Sequence, residues 1–284
     1  MAIILSYMNQ KGGVGKTSLC WNTAVYLSHK FGKKVLVIDL DTQGNISTSL
    51  TRNSPDYKMP QDCLTLQGIE AKELFLNKGE FDKSKIMHAM YGIDLIFTRS
   101  NDLSLLDSSY QKIDGTKESF VQNEAFVNFA VHLNEITDNY DYILMDCPPY
   151  IAGYIQAALV ICDYVITPIQ PTAFVLEGAQ GFFNQLDYIG RRNIFLGMVA
   201  NNIDKRFSRH LNLISELRTQ LGELVYDTVI YHRAPIDSAI FLDMPLWDLP
   251  NWKTAQDEME KFVRETIQRI DKNEGTTTEL KEVI

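Results

Sequence analysis

Seven residues constrain this chain more than any others: Lys11-Gly12-Gly13-Val14-Gly15-Lys16-Thr17. They follow a continuous apolar run, Ala2–Met8, of the length and character of a buried parallel strand. A helical pattern follows, from Thr17 through Leu19, Ala24, Leu27 and Phe31, with Gly32 as its stop signal. A glycine loop between a strand and a helix N-terminus is an anion site. Successive backbone N–H groups converge there, and glycines let the chain wrap a phosphate without Cβ clashes. In that setting Lys16 is placed to reach the β- and γ-phosphates, and the Thr17 hydroxyl to ligate Mg²⁺.

The loop departs from the usual G-x-x-x-x-G-K-[ST] pattern in one respect. Gln10 stands where the first glycine is expected, and an additional lysine, Lys11, lies inside the loop. That lysine is too close to the loop backbone to fold easily onto its own nucleotide. Pointing away, it would reach a nucleotide held by a second subunit.

The strand–helix alternation continues. Val35–Ile38, Ile93–Phe97, Tyr142–Met145, Tyr164–Pro168 and Phe195–Val199 read as strands; Ala173–Ile189, Ser208–Leu221 and Thr254–Ile270 read as helices. The predicted architecture is single-domain α/β, a mostly parallel twisted sheet with helices on both faces. Residues 1–272 form that domain, 51–62 read as a loop or insertion, and 273–284 as a polar, flexible tail. Nothing approaches eighteen consecutive apolar residues, and Ala2–Tyr7 is too short for a signal peptide. Four cysteines without C-x-x-C pairing read as buried, reduced thiols, which points to a cytoplasmic setting. The five histidines form no metal-spaced pair.

Asn9-Gln10-Lys11-Gly12-Gly13-Val14-Gly15-Lys16-Thr17 resembles the deviant Walker A box of ParA-type partition ATPases, whose wider group includes MinD and the nitrogenase iron protein. Val37-Ile38-Asp39-Leu40-Asp41-Thr42-Gln43-Gly44-Asn45 resembles the second signature of that family, with Thr42 in place of its usual proline. Asp141–Pro149 resembles the Walker B segment. Pro168-Ile169-Gln170-Pro171 with Leu176-Glu177-Gly178 matches a further stretch. The likeness spans almost the whole chain.

The resemblance implies roles residue by residue. Lys11 corresponds to the signature lysine that contacts nucleotide across an ATP-sandwich dimer. Gly12, Gly13, Val14, Gly15, Lys16, Thr17 and Ser18 form the nucleotide loop. Asp41 matches the aspartate that orients the attacking water, and Asp39 lies nearer the metal, behind its direct ligands. Asp146 falls where Walker B aspartates hold Mg²⁺, although an aspartate before Pro148-Pro149 also suits a plain cap. Asn201 falls either at an ordinary strand-end turn or where family members contact adenine. The loop that borders the base in relatives, often through proline, reads Ile230-Tyr231-His232-Arg233 here.

The formal net charge is −9, which as an average argues against a polyanion partner. Its distribution says otherwise. Residues 191–233 carry seven basic against four acidic side chains, so the rest of the chain is more acidic still. Lys205, Arg206 and Arg209 lie where the family has a basic turn entering a helix, and Arg191 and Arg192 stand just upstream. Each alone reads as a solvated charge; together they are candidate DNA contacts. The expected activity is slow ATP hydrolysis with Mg²⁺, in a homodimer that binds DNA without sequence preference, associates with the nucleoid and is stimulated by a ParB-type centromere-binding protein. The departures from the commoner chromosomal pattern favour a plasmid as cargo. No helix-turn-helix precedes the loop, so operator-specific autorepression is not expected.

The main alternative is a MinD-like membrane or cargo-positioning ATPase. Its basic, lipid-bound C-terminal helix has no counterpart in Glu274–Ile284, which holds three glutamates and one lysine. A cluster carrier is a third class, but Cys147 and Cys162 lack that group's ligand placement.

Overall fold

The computed structural model describes residues 1–51, 68–77, 81–99, 103, 106, 117–151, 153–172, 175–233, 236, 239, 244–249 and 252–281. Residues 52–67, most of the stretch read as an insertion, and Cys63 lie outside them. The strands are β1 (Ile3–Tyr7), β2 (Val35–Asp39), β3 (Met87–His88), β4 (Ile93–Ile96), β5 (Tyr142–Asp146), β6 (Tyr164–Ile169), β7 (Phe195–Ile203) and β8 (Val225–Tyr231). The longer helices are α1 (Lys16–Val25), α2 (Asn45–Thr51), α3 (Glu124–Ile136), α4 (Gly153–Ile161), α5 (Val175–Tyr188), α6 (Ser208–Leu221) and α7 (Lys253–Lys281).

One eight-stranded sheet runs β3-β4-β2-β5-β1-β6-β7-β8, parallel throughout except for β3 on β4. Consecutive strand residues alternate between two cores, as the two-residue period of a strand requires. Leu36, Ile38, Ile143 and Met145 face the side covered by α3, α4, α5 and α6. Val35, Val37, Tyr142 and Leu144 face α1, α2 and α7. Burial on both faces is why these strands read as unbroken apolar runs.

The chain leaves β1 toward β2 on one side and later passes from β5 across β1 to β6 on the other. That reversal places a crevice at the carboxyl ends of the central strands, where α/β sheets bind ligands. The register is sharp there. Asp146 pairs with Tyr7 of β1 on one side and with Asp39 of β2 on the other.

Strands β3 and β8 and helices α2, α3 and α4 are not delimited in the sequence. β3 is a two-residue edge. In β8, Met198 and Ala200 of β7 pair with Val225 and Val229, so four residues of β8 span two of β7 and a bulge interrupts the alternation. Glu265 of α7 accepts the N–H groups of Asp227 and Thr228 at 2.8 Å each, and Arg218 donates to the carbonyls of Tyr226 and Asp227 at 2.9 and 2.8 Å. α2 is built largely from Ser, Thr and Asn, which compete with a helix in the absence of tertiary support. The region from residue 273, expected to be a flexible tail, continues α7 as far as Lys281. Propagating an established helix forms one backbone bond per residue fixed, so a polar sequence can extend it.

Among the described residues no helix is long and apolar enough to cross a membrane. The apolar stripe of α7, with Ala255, Met259, Phe262, Val263 and Ile270, is buried in the core. Cys20, Cys147 and Cys162 are buried free thiols, and burial raises Cys147 to about 12. These three are therefore the buried free thiols that the sequence suggested.

Candidate nucleotide site

Three strands hold the glycine loop in place through side chains. Asn9, just past β1, donates from Nδ2 to the carbonyl of Pro168 in β6 at 2.7 Å, and its Oδ1 accepts the Lys11 N–H at 2.8 Å. Gln170, after β6, donates to the Gly13 carbonyl at 2.8 Å. Asn201 in β7 donates to the Val14 carbonyl, also at 2.8 Å. The Pro168–Pro171 stretch thus has a physical task, which is to brace the loop from the neighbouring strand.

Gly15 caps α1 with φ +94° and makes no side-chain cap bond, leaving helix N–H groups for an anion. A Cβ at this position would stand 2.1 Å from Asn201 Nδ2, so both conformation and space demand glycine. The two lysines take opposite positions. Lys16 is buried, with Nζ 3.4 Å from the Lys11 carbonyl, while the Lys11 side chain is exposed. Burial lowers the Lys16 pKa, and the charges of Asp146 and Asp41 oppose that shift.

Three carboxylates gather beneath the loop. Asp39 is fully buried and accepts from the Asp41 N–H at 3.0 Å and from the Ser47 N–H and hydroxyl at 3.1 and 2.5 Å. Burial pushes its carboxyl up to about 7; the Ser47 and Asp41 hydrogen bonds pull it down, and the Asp41 charge adds to the rise. Asp41 is buried and accepts the Gln43 N–H at 2.9 Å. Asp146 is fully buried with neither carboxylate oxygen in a hydrogen bond. Burial and then the Asp39 charge raise its pKa well above the carboxylate range, which the nearby Thr17 hydroxyl and Lys16 only partly offset.

A buried carboxylate with unpaired oxygens, two acidic neighbours and a single lysine lacks positive charge. A hard divalent cation with oxygen ligands supplies it, so these residues fit Mg²⁺. Thr17 and Asp146 would hold the ion, with Asp39 behind them.

A small cleft against the loop is lined by Gly13, Gly15, Ser18, Asn201, Asn202, Tyr231, Arg233 and Ile236. The structure thus brings together Asn201 and the Ile230–Arg233 segment. Asn201 also has the structural task of tying β7 to the loop.

The basic residues separate into two groups. Lys205, Arg206 and Arg209 are exposed beyond the carboxyl end of β7, on the same edge of the sheet as the loop. Lys205 Nζ lies 3.8 Å from the Tyr231 ring centroid, Arg209 lies over Phe207, and Arg206 is paired with Asp204 at 2.6 Å. Arg191 and Arg192 precede β7, whose nine residues separate them from the first group by about 30 Å at the rise of an extended strand. Arg191 donates to the Cys162 carbonyl at 2.6 Å, and Arg192 pairs with Asp187 at 3.0 Å. The single patch expected from proximity in sequence is therefore not one surface. Ser47, Thr98 and Gln170 are site residues that sequence reasoning did not identify. Only Gln170 fell inside a recognised stretch, and Thr98 becomes adjacent to the site only through the sheet order.

Comparison with known proteins identifies the family. A family model described as an AAA domain matches residues 2–198. The chromosome partitioning protein ParA of Caulobacter vibrioides is 29% identical over 273 residues, covering 94% of each chain. The sporulation initiation inhibitor protein Soj of Bacillus subtilis is 27% identical over 244 residues, 84% of this chain and 88% of its own. Among solved structures, a plasmid partition protein from Borrelia burgdorferi bound to AMPPNP superposes with a TM-score of 0.71 at 23% identity, covering 96% of this chain and 99% of its own.

Proposed function

Because this chain belongs to the ParA-type partition ATPases, a family of P-loop ATPases that take nucleotide and magnesium, we propose that it is an ATP-gated, DNA-binding partition switch. ATP brings two copies face to face, each placing Lys11 in the nucleotide site of the other. The observation that carries this reading is the contrast between the lysines: Lys16 is buried, and Lys11 is exposed.

Within one subunit, the backbone N–H groups of Gly13–Thr17 and the Lys16 ammonium bind and orient the phosphates. Mg²⁺ would be held by Thr17 and Asp146 and would supply positive charge to the bound phosphates. Asp41 orients the attacking water, a task of positioning more than of basicity. Asn201 and the Tyr231–Arg233 segment border the base. In the closed dimer two copies of the Lys205, Arg206 and Arg209 turn act on one DNA together, so two weak contacts combine only while ATP joins them. A ParB-type partner accelerates slow hydrolysis, and hydrolysis releases the dimer from DNA.

Light scattering with Mg-ATP tests the reading. The wild-type chain and Asp41→Ala should both become dimers, Asp41→Ala more persistently because turnover is blocked. Lys11→Ala should stay monomeric while still binding nucleotide. A monomer in all three cases, with nucleotide bound, would remove the sandwich dimer.

A further inference from the structure

Two buried hydroxyls on Asp39, those of Ser47 and Thr98, take no part in the roles assigned so far. They fasten the Asp39–Ser47 turn to the carboxyl end of β4. Ser47, in the first turn of α2, is fully buried, and both its N–H and its hydroxyl donate to Asp39 Oδ2. The same hydroxyl accepts the Thr98 N–H at 3.1 Å. The Thr98 hydroxyl in turn donates to the Asp39 carbonyl at 2.6 Å. Two hydroxyls, buried to 0% and 1% exposure, thus join the carboxylate and the carbonyl of one aspartate to a different strand.

The turn between them is drawn tight against Thr98. Gly44 has φ +62°, and a Cβ there would stand 2.9 Å from the Thr98 carbonyl oxygen. Its N–H bonds the Asp41 carbonyl at 3.0 Å. Asp41 is therefore held by its own turn, through Asp39 Oδ1 and the Gln43 and Gly44 amides. The turn is held by Ser47 and Thr98. The glycine loop has separate anchors in Asn9, Gln170 and Asn201.

From this separation we infer that Ser47 and Thr98 are positioning residues for hydrolysis, a latch that fixes the Asp41 turn on β4 and sets turnover without setting nucleotide affinity. The inference rests on Asp41 as the residue that orients the attacking water. Loss of the Ser47 hydroxyl leaves Asp39 Oδ2 with the Ser47 N–H and takes the acceptor from the Thr98 N–H, while loss of the Thr98 hydroxyl takes a donor from the Asp39 carbonyl, so in either case the turn shifts on β4. A displacement of about 1 Å at a positioned water can cost on the order of a hundredfold in rate.

The test uses the full-length chain with Ser47→Ala, Thr98→Val, Thr98→Ser and Asp41→Ala, measuring ATP turnover, affinity for a fluorescent ATP analogue and thermal melting. Ser47→Ala and Thr98→Val should each lower turnover by about tenfold or more while affinity changes by less than about threefold. Thr98→Ser, which keeps the hydroxyl, should recover most of the rate. Ser47→Ala combined with Asp41→Ala should be no slower than Asp41→Ala alone. Wild-type turnover in Ser47→Ala and Thr98→Val beside an inactive Asp41→Ala overturns the latch and leaves the assignment of Asp41 standing. So does a loss of affinity equal to the loss of rate. Full activity in Asp41→Ala overturns the assignment underneath it instead. If Ser47→Ala does not fold, the pair Thr98→Val and Thr98→Ser decides the matter by the same rate criterion.

Discussion

Asp39 and Asp146 stand side by side at the carboxyl ends of β2 and β5, paired in parallel register and fully buried. Each raises the pKa of its own carboxyl mainly through burial, and the Asp39 charge adds to the rise at Asp146. Placing two acids together at the floor of a phosphate site costs stability in the metal-free protein and prepares the place for a cation.

That arrangement makes stability depend on pH in a definite direction. A carboxyl whose folded pKa lies above its unfolded value adds stability at low pH, and the contribution fades as pH rises through the folded value, about 7 for Asp39. Without metal, the melting temperature should therefore fall from pH 6 to pH 8. Mg²⁺ with nucleotide should raise it more at pH 8, where the carboxylates are ionised. Asp146→Asn should flatten both trends. Melting curves at three pH values, with and without Mg-ATP, check this; a metal-free melting temperature that rises over the interval contradicts it.

Gly15 cannot be replaced without moving Asn201. With φ +94° and Asn201 Nδ2 2.1 Å from the site of a Cβ, Gly15→Ala should distort the loop and weaken ATP binding by about tenfold or more, equivalent to about 1.4 kcal/mol. Asn201→Ala, which removes the bond to the Val14 carbonyl, should have a smaller effect in the same direction. Lys16→Ala should abolish binding. Titration with a fluorescent nucleotide ranks all three.

The basic residues should divide by position. Lys205→Ala and Arg209→Ala should weaken ATP-dependent DNA binding, each lowering the slope of log affinity against log salt by about one. Arg192→Ala, remote from that edge and paired with Asp187, should leave the slope unchanged. Arg191→Ala should lower the melting temperature through loss of the bond to Cys162, again without effect on the slope.

The β8 bulge should be fragile at one residue. Glu265→Ala removes the acceptor for two N–H groups of an edge strand and should cost about 1–3 kcal/mol in denaturant unfolding. ATP affinity should not change.

What was legible in the sequence was local or doubly buried. The glycine loop declares itself in consecutive residues, and β1, β2 and β5 are apolar throughout because both faces are covered. The acids of the site end those same runs, so Asp39 and Asp146 could be found from the strands alone. What was hidden depends on contacts between distant segments. β8 loses its alternation at a bulge repaired by Glu265 and Arg218, so Arg218 belongs to structure although it counts as surface charge in the sequence. Arg191 and Lys205 look adjacent until β7 is seen to lie between them. Ser47 and Thr98 are unremarkable hydroxyls until the sheet order sets β4 beside β2.

The central claim is that ATP gates the grip on DNA. Retention of a DNA fragment, measured with Mg-ATP, with Mg-ADP and without nucleotide over a range of salt, tests it most directly. The account predicts binding with ATP alone, steeply weakened by salt and indifferent to the sequence of the fragment. Equal binding in all three nucleotide states, or none with ATP at low salt, would contradict it.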